Sequence, residues 1–318
     1  MDPKIFDISG KRIWVAGHRG MVGGAVVRRL AREKCEILTV AHSEIDLTRQ
    51  SDVERWLDKQ RPDAIVMAAA RVGGIHANST LPAEFLSINL MIGANVVSAA
   101  HKVGVRRLLN LGSSCMYPVG APQPIAEVSL GTGPPEPTNA AYAMAKLATA
   151  GMASTYRAQY GVDYITVIPT NLYGPGDNFD PQMSHVAPAL MRRMIEARDK
   201  NVPEVAIWGS GKPRRELMFV DDAADAIVFV LERYSAGEPI NIGIGVDVSI
   251  RDLAELTAKV VGYRGTLTFD ASKPDGAPRR LLDNSRLAAL GWRASTDLAD
   301  GLRQMYQWYC NNKASAAA

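Results

Sequence analysis

The first half of the chain alternates short, nearly continuous apolar runs with longer segments of helical periodicity. Arg12–Ala16 (RIWVA), Ala64–Ala70 (AIVMAAA) and Arg106–Leu111 are of strand length and carry few polar residues, as expected of strands covered on both faces. Glu36–Val40 is a further short strand. Helical patterns follow the first of these through Glu33 and fill Leu81–Val103. Strand and helix in strict alternation predict an α/β fold with a doubly wound parallel sheet. A fifth strand is expected over Asp163–Val167. Beyond it the alternation loosens into helix His185–Asp199, strand Val205–Trp208, helix Asp221–Tyr234, strand Ile240–Ile242, helix Ile250–Gly262 and strand Thr266–Asp270. That looser half predicts a smaller α/β lobe interleaved with the main sheet. The division expected is 1–171 plus a returning segment near 218–245, against 172–217 and 246–318. The last helix, Asp297–Asn311, has apolar residues at packing spacing, and the small polar tail Lys313–Ala318 is expected to fray.

The chain has 318 residues, 47% of them hydrophobic and 22% charged, enough for two domains with a sizeable core. Its net charge of +3 comes without any block of Lys or Arg, so neither a nucleic-acid partner nor a membrane-surface patch is expected. Met1–Lys11 lacks an apolar signal core, and no apolar run approaches the ~20 residues of a membrane helix. Three cysteines, Cys35, Cys115 and Cys310, fit no disulfide or metal framework. They point to reduced thiols and a cytoplasmic setting.

Candidate chemistry begins after the first strand, at Gly17-His18-Arg19-Gly20-Met21-Val22-Gly23. A strand, a glycine turn and a helix in that order put backbone N–H groups and a helix dipole where a pyrophosphate can sit, the arrangement of a Rossmann-type sheet. Gly17 permits the tight turn, Gly20 lets phosphate approach, and Gly23 lets helix and strand pack closely. The same glycines also suit a turn that binds nothing. At the end of the second strand stand Ala41, His42 and Ser43 rather than the carboxylate that holds an NAD ribose. With Arg19 in the turn, NADP(H) is the expected cofactor, although Glu44 lies near.

The fourth strand runs into Gly112-Ser113-Ser114-Cys115-Met116-Tyr117-Pro118, three small polar heads at the carboxyl edge of the sheet. A Pro- and Gly-rich loop follows to Pro137. The next helix starts near Asn139, an acceptable N-cap, and carries Tyr142 and Lys146 one turn apart on one face. An ammonium beneath the phenol would lower its pKa toward that of a working proton donor. Alanines at 140, 141, 143 and 145 would leave that face open to a flat ring.

Together these motifs resemble the extended short-chain dehydrogenase/reductase family. Pro169-Thr170-Asn171-Leu172-Tyr173-Gly174-Pro175, Ser184-His185 and Trp208-Gly209-Ser210-Gly211 narrow the resemblance, over nearly the whole chain, to its GDP-4-keto-6-deoxy-D-mannose 3,5-epimerase/4-reductases. The resemblance implies Tyr142 as proton donor to the reduced oxygen, Ser113 as its hydrogen-bonding neighbour and Lys146 on the nicotinamide ribose. It further implies Cys115 as base and His185 as acid of the epimerisation. The cofactor would contact Gly17, Arg19, Gly20, Met21, Val22, Gly23, His42, Asp46, Leu47, Leu111, Gly112, Lys146, Pro169, Thr170, Asn171, Leu172 and His185. His42 stands where the family commonly has an arginine for the 2′-phosphate, which shifts weight to Arg19. A GDP-sugar would meet Arg193, Trp208, Arg215, Asp275 and Arg280. Similar proteins are homodimers through the long helices after strands three and four.

The division of labour is chemically consistent, because protons flanking a ketone are acidified when Ser113 and Tyr142 stabilise the enolate oxygen. Inversion then needs one group on each face of the carbon. The remaining readings are a GDP-L-colitose synthase inverting C5 alone, a single-step ketoreductase without use for Cys115 and His185, and a dinucleotide sensor on the same fold.

Overall fold

A computed structural model describes residues 4–273 and 275–316; Pro274 and the last two alanines of the tail lie outside it. Its first elements are β1 (Arg12–Ala16), α1 (Met21–Leu30), β2 (Glu36–Leu38), α2 (Gln50–Gln60), β3 (Ala64–Met67), α3 (Ile75–Thr80), α4 (Pro82–Lys102), β4 (Arg107–Leu111), α5 (Ala140–Tyr160) and β5 (Asp163–Pro169). There follow β6 (Asn171–Tyr173), α6 (Val186–Asp199), β7 (Glu204–Trp208), β8 (Arg214–Phe219), α7 (Val220–Arg233), β9 (Ile240–Ile242) and β10 (Asp247–Ser249). The chain ends with α8 (Ile250–Val261), β11 (Thr266–Asp270), β12 (Arg279–Arg280), α9 (Ser285–Ala289) and α10 (Leu298–Ala316).

Six strands form a parallel sheet in the order β2-β1-β3-β4-β5-β9. Continuous apolar character is what this sheet requires, since alternate residues of each strand feed opposite faces. Ile13, Val15, Val66 and Leu109 join a core with Val26 of α1 and Ile227 of α7. Trp14, Ile65 and Leu108 join another with Leu57 of α2 and Val96 of α4. From β1 the chain steps outward to β2 and then crosses back to β3, so the strand order reverses between β1 and β3. The crevice at the carboxyl ends of those strands is where such sheets keep a ligand.

The remaining strands form two small groups. β8 is flanked by antiparallel β10 and parallel β12, and β6 also pairs with it; β7 pairs with β11. Their core comes from α6, α8 and α10, through Met191, Leu253 and Leu302.

Several expectations are corrected. α2 was not evident in the sequence because its apolar stripe, Val53, Trp56 and Leu57, covers barely one turn of an otherwise polar segment. β8 was not evident because its first half, Arg214-Arg215-Glu216, is charged. β3 stops at Met67. α10 runs on to Ala316, its last residues being good helix formers. Among the described residues α4 is long and apolar enough to cross a membrane, against the expectation that no segment is. Here it packs on α5 and α2, with Phe85, Val96 and Ala100 buried.

Candidate active site

The edge of the sheet beyond β4 is held by Gly112 N–H, which donates to Val167 O at 2.8 Å. Ser113 then caps a short turn, its Oγ accepting from Cys115 N–H at 3.3 Å. Ser114 turns inward and is buried, so two of the three small heads remain at the surface of the floor.

α5 brings Tyr142 and Lys146 over that floor. Ser113 hydrogen-bonds the Tyr142 hydroxyl, and the charge of Cys115 lies within reach of the same phenol. Lys146 Nζ donates to Leu111 O at 2.8 Å and lies 5.9 Å from the Tyr142 ring centroid. The expected lowering of the phenol is absent. Burial, then the Cys115 charge, push its pKa well above that of a free tyrosine, with the Ser113 bond only partly opposing. Burial also lowers the Lys146 ammonium to about 8. A protonated phenol is the form a proton donor needs. Ala143 and Ala145 are fully buried rather than lining an open face. Asn139 stands at the N-cap without capping; its side chain donates to Glu136 Oε2 at 3.0 Å.

At the glycine turn, Gly17 has φ +85°, and a Cβ there would sit 2.6 Å from Ala69 backbone atoms. A Cβ on Gly23 would lie 2.2 Å from Gly17 O, whereas one on Gly20 would meet nothing nearer than that same oxygen at 3.4 Å. The turn is therefore closed beneath and open above Gly20, at the α1 N-terminus, a fit for a pyrophosphate. Met21 and Val22 pack on the core below. Arg19 and His42 are exposed. Glu44 Oε1 accepts from its own loop at Ala41 N–H, 3.3 Å, and its charge reaches His18. Asp46 is engaged by Thr48, whose N–H and Oγ1 donate to it at 2.9 and 2.7 Å, and Leu47 O accepts from Asn95 at 3.0 Å. On the far side Pro169 pairs with Ile242 and Leu172 with Met218. Thr170 and Asn171 both donate to Glu216 O, at 3.3 and 3.1 Å.

His185 begins α6 without a capping bond of its own. It is exposed, yet enough protein surrounds the imidazole for desolvation to lower its pKa. The segment before it is tied to the loop after β3, because Gly74 N–H donates to Met183 O at 2.9 Å.

The substrate candidates divide into two groups. Arg215 and Arg280 are paired across β8 and β12. Arg215 donates to Ala277 O at 2.6 Å and Arg214 O at 2.8 Å, while Arg280 reaches Cys115 Sγ at 3.5 Å. Trp208, 68% exposed, lies beneath the Lys273 ammonium at 5.8 Å, so it is no core residue. The Asp275 carboxylate is held by Ser210 N–H at 2.8 Å and Ser210 Oγ at 2.7 Å. Arg193 donates to Ala206 O in β7.

Two acidic residues were not singled out in the sequence. Glu216 is fully buried and accepts from the N–H groups of Ile244, Gly245 and Leu282 at 2.6, 2.8 and 2.9 Å. Its sequence signal was slight: Glu216 closes the charged triplet that precedes the apolar Leu217-Met218-Phe219 of β8. Asp177 is buried in the loop after β6 with Oδ2 unpartnered, and desolvation raises it to about 7.

A family model described as the NAD dependent epimerase/dehydratase family matches residues 13–243. GDP-L-fucose synthase 1 of Arabidopsis thaliana is 54% identical over 302 residues, 95% of this chain and 94% of that protein. GDP-L-colitose synthase of Yersinia pseudotuberculosis is 38% identical over 304 residues, 95% of this chain and 99% of that protein. The solved structure of a GDP-L-fucose synthetase from Naegleria fowleri bound to NADP superposes with a TM-score of 0.90 at 27% identity, covering 99% of this chain and 98% of that one. The chain belongs to the NAD dependent epimerase/dehydratase family and, within it, to the GDP-L-fucose synthases.

Proposed function

We propose that this chain inverts C3 and C5 of GDP-4-keto-6-deoxy-D-mannose and then reduces C4 with NADPH, giving GDP-L-fucose. The observation that carries the reading is the cluster of Ser113, Cys115 and Tyr142 above Lys146, with Arg280 at the Cys115 sulfur. The 54% identity to a GDP-L-fucose synthase, against 38% to a GDP-L-colitose synthase, favours this substrate over the 3-deoxy one.

NADPH, when bound, supplies the hydride for C4. Gly17, Gly20, Met21, Val22 and Gly23 would receive its pyrophosphate, Arg19 and His42 its 2′-phosphate, and Asp46, Leu47, Leu111, Gly112 and Pro169 to Leu172 its remaining length. Lys146 would hold the nicotinamide ribose. Cys115 takes a proton from the carbon beside the ketone, the C–H electron pair moves onto the ketone oxygen, and Ser113 and Tyr142 hydrogen-bond that oxyanion. His185 returns a proton to the opposite face. Tyr142 finally protonates the C4 oxygen. Arg193, Trp208, Arg215, Asp275 and Arg280 receive the GDP-sugar.

Residues 1–171 with 218–245 serve the dinucleotide, and 172–217 with 246–318 the substrate. The protein works as a cytoplasmic homodimer through α4 and α5, whose Leu90, Met91 and Met144 are exposed apolar residues, without nucleic-acid or membrane partners. Turnover in deuterated water tests the reaction. Deuterium at both C3 and C5 is expected, and deuterium at neither would leave a simple reductase. Cys115→Ser should lose labelling while retaining reduction of a substrate that needs no inversion.

A further inference from the structure

Arg280 reaches Cys115 from a part of the chain remote from β4, and it is built to do so. Leu281 N–H donates to Gln123 Oε1 at 2.8 Å and Leu282 N–H to the buried carboxylate of Glu216 at 2.9 Å. Ile125 N–H donates to Leu281 O at 2.8 Å, and Asp283 N–H returns to Ile125 O at 2.9 Å. Four hydrogen bonds thus fix the backbone just beyond Arg280. Pairing with Arg215 fixes the residue itself. Its guanidinium, with Nη1 3.5 Å from the sulfur, has no other hydrogen-bonding partner among the described residues. Arg215 is the second cation in electrostatic reach of the thiol, and Tyr142 is a titratable group that its charge also reaches. Asp275, the carboxylate nearest in charge to Arg215, is taken up by Ser210.

We propose that Arg280 is the counter-ion of Cys115, holding its sulfur as the thiolate that abstracts the carbon-bound proton, in addition to any contact with substrate phosphate. The assignment rests on the reading of Cys115 as the base. A guanidinium placed against a sulfur stabilises the anion and raises the share of thiol in its nucleophilic form. The charge set against the sulfur comes from β12, whose backbone just beyond Arg280 is held by Glu216 and Gln123.

The test needs neither substrate nor cofactor. Iodoacetamide forms a sulfur–carbon bond with a thiolate and releases iodide, and peptide-resolved mass spectrometry separates Cys115 from Cys35 and Cys310. At pH 7, Arg280→Gln should alkylate about tenfold more slowly at Cys115 than the parent protein. Arg280→Lys should recover most of that rate, which a merely structural role would not predict. Thermal midpoints of both variants, compared with the parent, guard against unfolding. An unchanged Cys115 rate in a folded Arg280→Gln protein overturns the proposal while leaving the epimerase-reductase reading to the labelling experiment. Conversely, slowed alkylation in a protein that labels neither carbon would uphold the ion pair and remove its catalytic meaning.

Discussion

Lys146 Nζ donates to the main-chain oxygen of Leu111 at 2.8 Å, so the ammonium is anchored to the end of β4 rather than to the phenol one turn before it. That anchor ties α5 to the strand that ends in the Ser113–Cys115 floor. It leaves Tyr142 governed by burial, by the Cys115 charge and by Ser113, all consistent with a phenol kept protonated until it delivers its proton.

Tyr142→Phe removes that proton and nothing from the core. Reduction should fall by roughly 10²–10⁴-fold, while deuterium exchange at C3 and C5, which we assign to Cys115 and His185, should survive with a smaller loss from the missing oxyanion contact. Steady-state NADPH oxidation and mass-resolved exchange on the same preparation separate the two. Equal loss of both would remove the division of labour.

The glycines of the first turn should part company. Gly23→Ala places a methyl 2.2 Å from Gly17 O, and with no flexible atom to yield it should cost about 1–3 kcal/mol of stability, as overpacking does. Gly20→Ala has room in the folded chain and should melt within about 0.5 kcal/mol of the parent. It should nevertheless weaken NADPH binding, because its methyl occupies the open side of the α1 N-terminus. Paired thermal melts and cofactor titrations read both effects.

Cofactor choice should depend on Arg19. With Glu44 turned onto Ala41 N–H, Arg19→Ala should weaken NADPH roughly ten- to hundredfold, the loss of a charge-assisted bond. NADH should change little. An equal effect on both cofactors would place Arg19 away from the 2′-phosphate.

Asp177 predicts a pH dependence of stability. Its carboxyl is raised to about 7 in the folded protein from an ordinary 3.8. Between those values the unfolded chain releases the proton and the folded chain keeps it, so stability falls as pH rises through that window and is level above it. Asp177→Asn removes the liability while retaining an acceptor for Asn178 N–H. Its advantage over the parent should grow by on the order of 2 kcal/mol between pH 5 and pH 8, read by calorimetry; a constant difference would refute the buried charge.

The sequence by itself determined the parallel sheet, because a strand with two covered faces must be apolar on both, as Arg12–Ala16 and Arg107–Leu111 are. It also marked Gly17 to Gly23, Ser113, Cys115, Tyr142 and Lys146, since residues separated by one helical turn or clustered in one tight turn are neighbours in any fold that forms those elements. Only the tertiary structure decided what those groups feel. Burial reversed the expected lowering of Tyr142, turned Ser114, Ala143 and Ala145 inward, and carried the Lys146 ammonium to Leu111. Contacts between distant segments, such as Glu216 with Leu282 or Arg280 with Cys115, leave no periodicity to read. They depend on β8 and β12 lying side by side, and that pairing is set by the packing of the whole second half of the chain.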